Sequence, residues 1–166
     1  MSENKLSFDI NLNTNDIFDF QTQLLLRRSK AIFFIFGISY LFLIFILIYS
    51  YVTVQKLHII TTIIVVTLPF FMRLLRKRVA KKTLESNPQL QEKQTYTFDQ
   101  ESVTIKGEKN EGRIELAKLK RVSATKKLIL LWHSNTTANI IPIRCLTNEQ
   151  LMQLKQITLP YKKERK

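Results

Sequence analysis

The sequence predicts an α+β membrane protein, a two-helix transmembrane hairpin followed by a small β domain with a C-terminal helix. Three observations carry the prediction. Residues 31–54 contain no charged side chain, and residues 57–72 contain none apart from a possible charge on His58. Basic residues crowd the outer ends of these two runs. From Gln94 onward, short apolar stretches alternate with polar turns at strand-like spacing.

At the start of the chain, Leu6, Phe8, Ile10 and Leu12 alternate with polar residues, the period of a half-buried strand. A short strand does not stand alone in water, so this one is expected to join the C-terminal sheet. Asn13, Thr14, Asn15 and Asp16 offer helix caps, with Asp16 and Asp19 favourable in a first turn. Ile17, Phe18, Phe20, Leu24 and Leu25 then suggest an amphipathic helix.

A continuous helix over 31–72 would be roughly 63 Å long, at ~1.5 Å per residue. A bilayer core is ~30 Å thick and needs about 20 residues. The expectation is therefore two spans, at about 31–51 and 56–75, turning near 50–56. Arg27, Arg28 and Lys30 precede the first span, and Arg73, Arg76, Lys77, Arg78, Lys81 and Lys82 follow the second. Lys and Arg near a span stay on the cytoplasmic side, which places both termini in the cytoplasm of a bacterial cell. The apolar runs of the two spans hold no Asp, Glu, Arg or Lys, whereas proton relays and ion pathways need ionisable groups facing the bundle interior, which argues against a transporter. Pro69 is a candidate kink, and the basic extension is expected to end near Pro88, because the residue before a proline leaves the helical region.

The β domain is expected over residues 93–160. Strands are read at 95–98, 102–106, 113–116, 120–124, 127–133 and 139–144, a pattern of barrel or sandwich. Thr147 with Gln150 three residues later forms a capping box, and Leu151, Leu154 and Ile157 recur at helical spacing. A barrel of six or seven strands closed by one C-terminal helix is the pleckstrin-homology-like arrangement. Residues 161–166 read as a basic tail.

The chain has 26 Lys plus Arg against 13 Asp plus Glu, a net charge of +13. Residues 1–20 hold one Lys and four acids, whereas 21–93 hold 11 bases and two acids. The densest positive run abuts an expected span, so anionic lipid headgroups, and not nucleic acid, are the economical partner, at ~1 kcal/mol per basic residue near the surface. A second candidate patch is Lys118, Lys120, Arg121, Lys126 and Lys127. The single Cys145 excludes an intrachain disulfide.

Enzyme chemistry finds no foothold. His58 and His133 make no readable metal pair, and His133-Ser134 reads as a strand-end turn, since no nucleophile elbow accompanies it. No glycine loop for a phosphate is present, so neither cofactor nor metal is expected.

Tyr96-Thr97-Phe98, Val103-Thr104-Ile105, the run 114–122, Leu128–Trp132 and the run 140–144 resemble the YcxB-like family of small bacterial membrane proteins. The resemblance implies a pleckstrin-homology-like domain and no known catalysis. Some bacterial membrane proteins with similar domains are linked to resistance to membrane-active bacteriocins. The expectation is thus a membrane-anchored, non-enzymatic protein giving immunity to such a peptide. The alternative is a membrane-tethered adaptor recruiting another envelope or transport protein. A cationic peptide or another membrane protein is the implied partner.

Overall fold

A computed structural model describes residues 5–28, 30–53, 57–108 and 110–161, with the side chains of all but 27–28, 30–33, 35–36, 50, 52–53 and 57–61. Strand β1 (Leu6–Ile10) leads into helices α1 (Thr14–Arg28), α2 (Lys30–Thr53), α3 (Leu57–Glu85) and a single turn, α4 (Pro88–Gln91). Strands β2 (Gln94–Phe98), β3 (Ser102–Lys106), β4 (Glu111–Glu115), β5 (Arg121–Ala124), β6 (Leu128–Trp132) and β7 (Ala138–Pro142) precede helix α5 (Asn148–Thr158).

The strands form two antiparallel sheets, β1-β2-β3-β4 and β5-β6-β7. The α+β character and the C-terminal helix follow expectation; the closed pleckstrin-homology-like barrel does not. A 3-10 turn at Leu116–Lys118 separates β4 from β5, and no ladder joins the two sheets among the described residues. The sheets pack face to face instead. Leu6, Phe8, Ile10, Tyr96, Phe98 and Val103 of the first meet Val122, Ile129, Leu131 and Ile141 of the second, with Leu154 of α5 in the same core. The other face of the second sheet, Leu128, Leu130, Trp132 and Ile140, packs against Ile17 of α1 and Ala80 of α3. Strand β6 is therefore covered on both sides and all five of its residues are buried, which is why it reads as a continuous apolar run.

Strand β1 pairs with β2, Leu6 opposite Phe98 and Ile10 opposite Gln94. Its burial alternates as the sequence predicts. Helix α1 begins where Asn13 Oδ1 accepts from the Asn15 and Asp16 N–H groups at 2.9 and 3.0 Å. Asp16 Oδ2 accepts in return from the Asn13 N–H at 2.9 Å, which satisfies the first orphan donors of the helix.

Among the described residues, no helix is long and apolar enough to cross a membrane. This corrects the expected transmembrane hairpin, the bacterial cell-membrane location and the cytoplasmic placement of both termini. Helix α3 runs on past Met72 into Arg73, Arg76, Lys77 and Arg78, so its C-terminal half is too charged for a bilayer core. The turn at 54–56 and the basic tail at 162–166 lie outside the described residues.

Helices α2 and α3 are tied by a backbone defect. Pro69 lies inside α3 and has no N–H to give the carbonyl four residues earlier, that of Val65. The Tyr40 hydroxyl of α2 donates to that carbonyl at 3.1 Å. Val65 is itself buried, so the bond supplies a donor where water has little access.

Candidate functional site

Two features of the helical part stand out, a basic groove and an apolar stripe. The groove lies between the start of α1 and the basic half of α3. Its lining is Asn13, Thr14, Asn15, Leu74, Lys77, Arg78 and Lys81, around a volume of about 500 Å3. Leu74, Lys77, Arg78 and Lys81 are spaced by three, one and three residues, which puts them on one face of α3.

The basic cluster read from the sequence therefore divides. Lys77, Arg78 and Lys81 line the groove; Arg73 and Lys82 are exposed outside it. Arg76 has a different task. Its guanidinium lies 4.9 Å from the centroid of the Phe18 ring and donates to Thr22 Oγ1, both on α1. Together with Gln21 donating to Thr83 Oγ1 at 3.2 Å, it fixes α1 against α3. The side chains of Arg27, Arg28 and Lys30 lie outside the described residues.

The start of α1 is also held by a residue from far along the chain. Arg144 Nη2 reaches Asp16 Oδ2 at 2.6 Å and the Asn11 carbonyl at 2.6 Å. The bond to Asp16 raises the Arg144 pKa above its ordinary value. Asp16 is buried, and its carboxylate is turned to Arg144 and to the Asn13 N–H. The sequence marks Asp16 only for the start of a helix and Arg144 only as the end of an expected strand; no local signal joins two residues this far apart.

The second patch is not one surface. Lys118 pairs with Glu115 at 2.9 Å, and Lys127 with Asp19 of α1 at 3.0 Å. The Arg121 guanidinium lies 5.0 Å over the Trp132 ring. Lys126 stands beside Lys127 in a smaller cleft, about 250 Å3, against Asp19, Thr22 and Gln23. Lys120 is exposed and its N–H continues the ladder to the Trp132 carbonyl at 2.8 Å. His133 and Ser134 belong to a tight turn: both N–H groups donate to the Thr137 carbonyl, and Ser134 Oγ accepts from the Thr136 and Thr137 N–H groups.

The apolar stripe is on α2. Phe34, Ile38, Leu41, Phe45 and Ile48 recur at four, three, four and three residues and are all exposed, Phe34 at 71% and Phe45 at 63%. Phe42 and Tyr49 flank them, also exposed. A spacing of three and four is the seam of paired helices. On α3, Ile63, Val66 and Phe70 add a second exposed apolar row.

Residues 98–158 match the family model of the YcxB-like protein, which bears out the resemblance drawn from the β strands. The match takes in β3 to β7 and α5 and leaves out β1 and the four helices before β2. No curated protein and no solved structure matches the chain.

Proposed function

We propose that this chain, YcxB-like over its C-terminal β domain, is a non-enzymatic interaction module that docks an amphipathic helix of a partner protein along α2. The observation that carries the reading is the exposed stripe Phe34, Ile38, Leu41, Phe45 and Ile48. Contiguous exposed apolar surface of this kind marks an interaction site. Each such side chain contributes ~1.5–3 kcal/mol when fully buried. The exposed cations Arg73 and Lys82 on α3 favour a partner with acidic flanks. The β domain is then the anchor that holds the helices, through Ile17 and Ala80 against the second sheet.

A second reading uses the same stripe: capture of a membrane-active, bacteriocin-type peptide, which would give immunity or resistance. Such peptides present the apolar helical face that the stripe accepts. The net charge of +13 opposes a cationic one.

A photo-crosslinking residue at Phe45 tests the adaptor reading in cells, with Leu43, which is less exposed, as the comparison site. One dominant adduct at position 45, with a protein carrying an acid-flanked helix, is the expected result. Adducts only with a second copy of this chain, or equal yields at both positions, would overturn it. A rise in bacteriocin tolerance on expression, with the peptide left intact, would select the second reading.

A further inference from the structure

We propose that the groove between the start of α1 and the basic face of α3 is a binding site for a phosphate ester. The inference stands apart from the helix-docking reading, since it uses different residues. Lys77, Arg78 and Lys81 stand at i,i+3 and i,i+4 on one face, where like charges repel. Among the described residues, Lys77 and Arg78 have no ion-pair partner. Lys81 reaches Glu85 at 3.6 Å, but both side chains are more than 60% exposed, and such a pair is weak. The acid closest to the groove in the chain, Asp16, is turned to Arg144 at 2.6 Å. The groove is thus positive by construction and an anion completes it.

The donors select the anion. Arg78 offers a planar fork, Lys77 and Lys81 offer point charges, and the amides of Asn13 and Asn15 and the hydroxyl of Thr14 stand on the opposite wall. Asn13 Oδ1 is already occupied by two backbone N–H groups, so this amide faces a ligand only as a donor. Donors on two walls exceed what the two oxygens of a carboxylate use, and suit the three free oxygens of a phosphate monoester. The volume of about 500 Å3 also exceeds one phosphate and lies in the range of small-ligand clefts. Leu74 gives the remainder an apolar contact. The ester is therefore a phosphate with an organic part, either a soluble metabolite or a lipid headgroup.

The test uses the full chain with three probes: inorganic phosphate, glycerol phosphate, and phosphatidic acid vesicles, whose headgroup is a phosphate monoester, set against pure phosphatidylcholine vesicles. One variant carries Lys77→Gln, Arg78→Gln and Lys81→Gln. A control of equal charge carries Arg73→Gln, Lys82→Gln and Lys126→Gln, and circular dichroism checks that both fold. The groove variant is expected to bind about tenfold or more weakly, and the control less than about threefold. Binding of glycerol phosphate alone assigns the soluble source, and binding of the anionic vesicles alone assigns the headgroup; both together support the shared phosphate chemistry. Equal weakening in the two variants would reduce the effect to diffuse charge and overturn the site. So would the absence of wild-type binding to the two phosphate esters, soluble and vesicular.

Discussion

Asp16 and Arg144 are 128 positions apart and meet at 2.6 Å, Nη2 to Oδ2. The pair fastens the first turn of α1 to the segment between β7 and α5. Asp16 is buried while Arg144 is exposed, so the two ends of the bond respond differently to loss. Arg144→Ala strands a buried carboxylate and is expected to cost about 2–3 kcal/mol; Asp16→Asn keeps most of the hydrogen bonds and should cost about 1. Chemical denaturation of both variants checks the order. Equal losses would show that the charge of the carboxylate is not what Arg144 answers.

The Tyr40–Pro69 relation predicts a coupling. Tyr40→Phe removes the donor from the Val65 carbonyl and should cost about 1 kcal/mol. Pro69→Ala restores a helical N–H to that carbonyl, so Tyr40→Phe should cost close to nothing in its presence. A double-mutant cycle on thermal or denaturant stability reads this directly. Additive losses would mean that Pro69 is not the reason for the bond.

Gln150 has two partners. Its Oε1 accepts from the Thr147 N–H at 2.9 Å, and its Nε2 donates to the Ser7 carbonyl of β1 at 3.2 Å. Thr147→Ala should cost ~1 kcal/mol, the value of a helix cap. Gln150→Ala should cost more, by ~1 kcal/mol for the strand contact. Hydrogen exchange at the Leu6–Ile10 amides should accelerate in Gln150→Ala and stay unchanged in Thr147→Ala.

Asp9 makes β1 sensitive to acid. The hydrogen bond from Lys93 Nζ, at 2.7 Å, and then that from Thr95 Oγ1 hold its carboxylate below the ordinary value of 3.8. A folded-state value below the unfolded one contributes stability above pH 3.8 that is lost as pH falls through the folded value. Asp9→Asn should be less stable than the parent near neutrality, and the gap should close below pH 3.8. A gap that persists in acid would assign the effect to packing.

The single Trp132 is 1% exposed, donates to Ser123 Oγ at 2.8 Å and stands 5.8 Å from the Phe20 ring. Its emission should be blue-shifted in the folded chain. Leu130→Asp puts a lone charge in the same layer, where Leu130 is 1% exposed, and should abolish folding and move the emission to that of water-exposed Trp. Native emission in that variant would refute the burial of the layer.

Legibility in the sequence followed the range of each signal. Alternation over Leu6, Phe8 and Ile10, and the Thr147–Gln150 box, act within a few residues, and both appear as read. Strand positions were also close: the expected 102–106 is β3, and 95–98 differs from β2 by one residue. Sheet closure was not legible, because it depends on whether the 3-10 turn at Leu116–Lys118 lets β4 and β5 pair. In the groove, the three cations on α3 were legible, but the wall from Asn13 to Asn15 was not. Arg76 looked like its neighbours and is instead consumed by Phe18 and Thr22.

Strand β1 is made long before the strand it pairs with. Residues 11–93 separate Ile10 from Gln94, and at ~5–20 residues per second the ribosome needs roughly ten seconds to cover that distance. During that interval Leu6, Phe8 and Ile10 have no sheet to enter. Once β2 arrives, closing so long a loop adds little extra cost, since each doubling of length takes only ~0.6 kcal/mol. The finished sheet then works as a buckle: both ends of the helical segment are sewn into adjacent strands. A load applied to the helices pulls β1 and β2 from the same edge, and the ladder between them is the seam that must hold.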